Sequence, residues 1–291
     1  MAEIIQKDGT WTFDGDGVRI VPGSDKGVSL LRRTLGEVTV PLVALAGVAY
    51  EPGRRTGRLR LRLRDGACPL LQVTGGKLDD ASDPYTLTVE TKASAIAEYL
   101  VDEVRNALLL DSVPTGPVDR YLLPGPSLPM TVGAGDGTAS FDGRTVRLEW
   151  TWHTDEAKTS SGPAGIALED LHAVEWQPAR GLEDGHLRFV SSPNAPRLPA
   201  GRDPHAVELN GFKKDPLMAL LASAVVVRMP HPHAPEPLPV AEPKALGPAP
   251  AATDDPDALL RRLRELGELR QAGILTEEEF TFAKQAVLKR L

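Results

Sequence analysis

The stretch DGTWTFDGDGVRI, beginning at Asp8, recurs as DGTASFDGRTVRL from Asp136, with eight of thirteen positions identical across an offset of 128 residues. Such self-similarity constrains the fold more than any single motif, because the chain must solve the same burial problem twice. The relation continues beyond this phrase. VPLVALAGVAYEP at 40–52 aligns with IALEDLHAVEWQP at 166–178, and GRLRL at 57–61 aligns with GHLRF at 185–189. DPYTLTVETKASAIAEYLVDEV, from Asp83, aligns with DPHAVELNGFKKDPLMALLASAV, from Asp203. Block order is kept and only loop lengths change, so the chain carries a tandem duplication of a unit of about 100 residues.

Within each unit the apolar residues alternate. Trp11 and Phe13 oppose Thr10 and Thr12, and Leu59, Leu61 and Leu63 oppose a row of arginines. That period marks half-buried antiparallel strands. Asp-Gly in FDGDG and FDGRT supplies turn chemistry between the first two strands. Each unit then shifts to helical spacing, through Ile96, Ala97, Leu100, Val104 and Leu108 in the first and Leu217, Leu220, Leu221 and Val225 in the second. Pro216 suits a helix N-terminus. The expected fold is α+β: two tandem PH-like β-barrels, each closed by a C-terminal helix, followed by a Pro-rich linker and a small helical hairpin. The DGT-x-x-FDG phrase, LEDLHAVEWQP followed by GHLRF, and YLLPGPSLPM at 121–130 resemble a tandem actinobacterial PH-like family of unknown function. Those motifs specify turns and core positions, so the resemblance implies a fold and no activity.

The boundaries read as 1–110 for copy one, 111–130 for a Pro-rich connector, 131–229 for copy two, 230–253 for a disordered Pro/Ala-rich linker and 254–291 for the hairpin. Five prolines in 110–130 suggest an extended spacer, and nine in 230–256 suggest disorder. In the last segment Leu259, Leu263, Leu266 and Leu269 form an apolar face and Gly273 is a stop signal. Thr276 and Glu279 then make a capping box for a second helix that buries Phe280 and Val287. LRQAGILTEEEFTFAKQAVL resembles the SHOCT (short C-terminal) domain. About 35 residues rarely hold a core alone, so this face should pack on another copy or on a partner.

Four arginines, Arg58, Arg60, Arg62 and Arg64, share one strand face and are the candidate anion-binding residues, because guanidinium groups read phosphates bidentately. The competing reading is a solvated face paired with acids. Copy two keeps the apolar side as Leu187 and Phe189 but only His186 and Arg188 opposite. Asp14 and Asp16 lack the remaining ligands of a calcium loop and fit a hairpin turn better. GAGDG at 133–137 lacks phosphate-loop spacing. His231 and His233 read as incidental linker residues. Trp150, Trp152 and Trp176 read as packing residues, with ligand stacking as the sharper alternative.

A net charge of −7 argues against a nucleic-acid binder, and no segment is basic on its own: 14 Lys+Arg against 15 Asp+Glu in 1–110, and 12 against 17 in 111–253. The single Cys68 forms no internal disulfide or zinc cluster. No metal site, cofactor or nucleophile with a partner set is legible. MAEIIQKDGT lacks signal-peptide character, which points to a cytoplasmic protein. The leading expectation is a non-catalytic interaction or regulatory protein, a homo-oligomer or bound to a protein partner through the hairpin. The alternative is a peripheral binder of anionic lipid or another phosphate-bearing surface through the Arg face, and an enzyme of unrecognised type stands third.

Overall fold

The computed structural model describes residues 1–152, 154–194 and 197–234, together with 264, 267, 280, 281 and 283–285. Residues 1–235 form one unit and 236–291 another, and both copies of the repeat lie in the first.

Copy one opens with a meander of β1 (Ala2–Gln6), β2 (Gly9–Phe13), β3 (Gly17–Pro22) and β4 (Val38–Pro41), with the short helix α1 (Leu30–Leu35) inserted before β4. A 3-10 turn at Leu42–Ala44 moves the chain to a second antiparallel sheet of β5 (Leu45–Glu51), β6 (Thr56–Leu63) and β7 (Thr86–Glu90). Helix α2 (Pro69–Thr74) sits between β6 and β7, and α3 (Ser94–Leu110) closes the copy. Copy two repeats the plan. β8 (Met130–Ala134), β9 (Gly137–Phe141), β10 (Thr145–Trp150) and β11 (Ala164–Ala167) form the first sheet, with α4 (Glu156–Thr159) before β11. β12 (Ala173–Gln177), β13 (Gly185–Val190) and β14 (Ala206–Leu209) form the second, and α5 (Asp215–Val226) closes it. Register is repeated as well: Phe13 opposes Val18 as Phe141 opposes Val146, and Tyr50 opposes Leu59 as Trp176 opposes Leu187.

Each copy is therefore a four-stranded and a three-stranded sheet under a helix, and among the described residues neither closes into a barrel. The seam shows why. The backbone N–H groups of Thr88 and Glu90 on β7 donate to side chains, Asp8 Oδ2 at 3.0 Å and Gln6 Oε1 at 2.9 Å. A continuous ladder to β1 is thus replaced by side-chain caps, which satisfy the edge without joining the sheets.

The two terminal helices differ. α3 buries one stripe, Ala97, Leu100, Val101 and Val104. α5 is buried nearly all round, from Met218 to Val225. An all-apolar helix needs cover on every side. Copy one supplies it, because α1 and α2 pack on α5 and α2 also reaches β12. The connector is no free spacer either. Val118 and Leu123 are buried, and the N–H groups of Val118, Leu122 and Leu123 donate to the carbonyls of Asp65 and Ala67. Apolar residues between the prolines thus pin it to copy one.

Of the hairpin residues singled out by sequence, Phe280 lies in helical backbone. Leu259, Leu263, Leu266, Leu269, Val287, Thr276, Glu279 and Gly273 lie outside the described residues.

Candidate functional site

The Arg face is built by alternation along β6, where Leu59, Leu61 and Leu63 are buried and Arg58, Arg60 and Arg62 are exposed. Its charges are largely spent. Arg58 is ion-paired with Asp80, and Arg60 lies 3.7 Å from Asp80 and 3.5 Å from Asp83. Arg64 donates to three backbone carbonyls, Gly116 at 2.8 Å, Val43 at 3.0 Å and Pro117 at 3.3 Å, and so grips the connector. The Arg62 side chain makes no ion pair or hydrogen bond among the described residues. Copy two clarifies Arg60. Its counterpart Arg188 donates to Asp203, the counterpart of Asp83, at 2.8 Å. A pair present in both copies is part of the frame.

The Asp of DGT belongs to a second duplicated bracket. Asp8 accepts from Arg32, a nearly buried side chain on α1, and from Thr88 N–H on β7. Asp136 is paired with Lys158, a fully buried side chain on α4, and accepts from Glu208 N–H on β14 at 2.8 Å. Lys158 also donates to Ala206 C=O at 2.8 Å and lies 4.7 Å above the Trp150 ring. In both copies the first hairpin, the inserted helix and the last strand meet on one carboxylate. The second Asp of the phrase shapes the turn. Asp14 Oδ1 accepts from Asp16 and Gly17 N–H, and Asp142 Oδ1 from Arg144 and Thr145 N–H. These bonds, from Gly17 and Thr145 first, hold both carboxyls below the usual range. GAGDG is the β8–β9 turn, and Gly135, at φ +58°, lies so close to Glu208 C=O that a Cβ would overlap it.

Cys68 is buried and its Sγ sits 3.1 Å from the Tyr85 hydroxyl; burial pushes both groups up. His231 and His233, which composition assigns to an unstructured linker, dock on copy one. His231 Nε2 is 3.0 Å from Gly66 C=O and its ring meets Tyr121 edge-on at 4.6 Å, while His233 Nε2 is 3.0 Å from Asp65 Oδ2. Burial lifts the Tyr121 hydroxyl to about 12.

The cavity beside Arg60 and Arg62 measures about 510 Å³. A cleft of about 750 Å³ opens where copy one meets copy two. Lys26, Arg33 and Lys77 line it from copy one, and Arg180 and Lys213 from copy two. None of these five cations is ion-paired among the described residues, although acids outnumber bases 40 to 33 in the chain. Trp176, 4% exposed, also lines the cleft, and its indole Nε1–H has no acceptor. Tyr50, its counterpart in copy one, bonds Ser94 at 2.7 Å. Asp215 sits at the start of α5, with Oδ2 accepting from Gly211 and Phe212 N–H and Oδ1 unpartnered; burial raises its carboxyl. Sequence reasoning missed this cleft because its cations come from segments far apart in sequence, Arg33 on α1 and the other four outside helices and strands. The weak signal was Trp176 standing where copy one has Tyr50.

Among the described residues no group of His, Cys, Asp and Glu has metal-holding geometry, and no helix is long and apolar enough to cross a membrane. No curated protein matches the chain in sequence. Among solved structures, apo AztD from Citrobacter koseri is 14% identical over 67% of this chain and 44% of its own, with a TM-score of 0.12. The chain thus spans less than half of that protein's length, and a score so low carries no argument about fold. The family model of a domain of unknown function, DUF4429, matches in two segments, 11–105 and 139–226, one per copy, and the Short C-terminal domain, SHOCT, matches 261–288. With more than half of its length matched by one family pattern in two segments, the chain belongs to the DUF4429 family and carries a SHOCT domain behind its two repeats.

Proposed function

We propose that this chain is a non-catalytic interaction protein, in which two PH-like units form a binding scaffold and the C-terminal hairpin oligomerises the chain or docks it to a protein partner. The four-plus-three strand order followed by a helix, present in both copies, supports the PH-like reading. The observation that carries the functional reading is how buried charge is used. Among the described residues, the buried Arg32, Asp83, Asp136, Lys158, Arg188 and Asp203 belong to brackets repeated between the copies, and the seventh, Asp215, accepts from Gly211 and Phe212 N–H at the start of α5. Such pairs set register and join elements, which is a structural use of ionisable groups. Tethering a small self-associating hairpin to a scaffold raises effective concentration without any catalytic centre.

Sedimentation velocity of the full-length chain and of a chain ending at residue 253 tests the assembly. The full-length protein should sediment as an oligomer and the shortened one as a monomer; identical monomers would remove self-association and leave partner docking to be sought by pull-down. The alternative, an anionic surface bound by Arg58, Arg60, Arg62 and Arg64, draws less support, since three of the four are engaged within the protein.

A further inference from the structure

We propose that the cleft between the two copies binds a nucleotide-sized small molecule carrying several phosphate groups. The inference stands apart from the hairpin's role, because assembly and cleft occupancy draw on different segments. Charge points to it first. Some exposed cations elsewhere find acids, as Arg19 does with Glu37, Lys7 with Glu90 and Arg197 with Glu175, and others, such as Arg62, stand singly on the surface. In the cleft, Lys26, Arg33, Lys77, Arg180 and Lys213 gather with no such partner. Like charges held near one another raise the local potential and favour a counter-charge of high valence.

The second observation is independent of charge. A buried N–H without an acceptor is costly, and the indole of Trp176, a residue that lines the cleft, carries such a donor among the described residues. An oxygen of a bound anion would satisfy it. At the same register position in copy one, Tyr50 is satisfied internally by Ser94. Two carboxylates, Asp79 and Asp215, also line the cleft, and Asp215 Oδ1 is buried with no partner among the described residues. A hydroxyl or amino group on the ligand would donate to it, which favours a phosphorylated sugar or nucleoside over bare phosphate. Phe212, 68% exposed at the rim, offers a ring face for stacking. A volume of about 750 Å³ suits a ligand of that size.

Isothermal titration of the full-length protein with ATP, inorganic tripolyphosphate and adenosine tests the proposal, beside co-sedimentation with phosphatidylcholine vesicles with and without phosphatidylglycerol. ATP should bind more tightly than tripolyphosphate, adenosine alone should not register, and raising the salt should weaken both polyanions. The Lys77→Glu/Arg180→Glu variant should bind ATP about tenfold more weakly or worse, while Arg58→Glu/Arg62→Glu on β6 should leave binding unchanged. Arg58, Arg62 and Arg180 are exposed and Lys77 is half-buried, and an unaltered thermal transition would show that folding survives. An ATP-induced change in indole fluorescence should disappear in Trp176→Phe. Failure of both polyanions to bind, or binding that survives the cleft reversal, overturns the proposal. Charge-dependent binding to anionic vesicles without binding of ATP overturns the soluble ligand and assigns the phosphate chemistry to a lipid headgroup. A silent cleft in a protein that still sediments as an oligomer would leave the hairpin reading intact.

Discussion

α3 and α5 occupy the same place in the two copies, yet they are read by their surroundings in opposite ways. Their inner faces correspond: Ala97, Leu100, Val101 and Val104 share their spacing with Met218, Leu221, Ala222 and Val225. Their outer faces do not. On that register Glu98, Tyr99, Asp102 and Glu103 stand where α5 has Ala219, Leu220, Ser223 and Ala224. α3 faces solvent there, whereas α5 lies under α1 and α2 of copy one. The lesson is that duplication preserved the inside of the unit, and the contact between the copies rewrote one outer surface.

The contrast can be broken at three points, from the largest effect to the smallest. Lys158→Ala should cost about 3–5 kcal/mol, because it strands a buried carboxylate, while Arg32→Ala should cost less, since Asp8 keeps 24% of its side chain in water against 10% for Asp136. Urea midpoints would compare them, and Asp136→Leu/Lys158→Met should recover most of the loss. Equal costs for the two single variants would mean that the brackets are equally buried in solution. Next, Leu220→Ala should cost about 2–5 kcal/mol as a large-to-small change in a packed core. Tyr99→Ala, at a half-exposed site, should stay within about 0.5 kcal/mol. Thermal unfolding of both would show whether α2 truly seals α5. The smallest effect concerns pH. Burial raises Asp215 above its ordinary 3.8, so the native protein holds this proton more tightly than the unfolded chain does. Between the two values the native state binds more protons, and stability falls as pH rises through that window. Asp215→Asn should flatten this slope in urea midpoints measured across it; α3, with no acid in its first turn, offers no counterpart.

Much of the frame was legible because short-range rules wrote it. Alternation placed Leu59, Leu61 and Leu63 inside, and Asp14 and Asp142 do act through turns of two or three residues. Helical spacing located α3 and α5 to within a few residues. What escaped involves partners distant in sequence. Nothing near Asp8 announces Arg32, 24 residues on, and nothing near Asp136 announces Lys158. α2 spans only six residues and starts at Pro69, too short to show a period. Counting prolines made the connector a spacer, yet Val118 and Leu123 between them bury and hold it down. The cleft was invisible for the same reason: each of its five cations is ordinary in its own segment, and only the docking of the copies gathers them.

The contact between the copies joins different surfaces, α1 and α2 on one side and the outer face of α5 on the other. Contacts of that head-to-tail kind do not close on themselves, and between near-identical units they can extend into fibres. Had α3 kept an apolar outer face like that of α5, each molecule would offer a second berth for the α1–α2 surface of its neighbour. Glu98, Asp102 and Glu103 put charge on that face instead, so α3 lacks the all-apolar outer surface that α5 presents to α1 and α2.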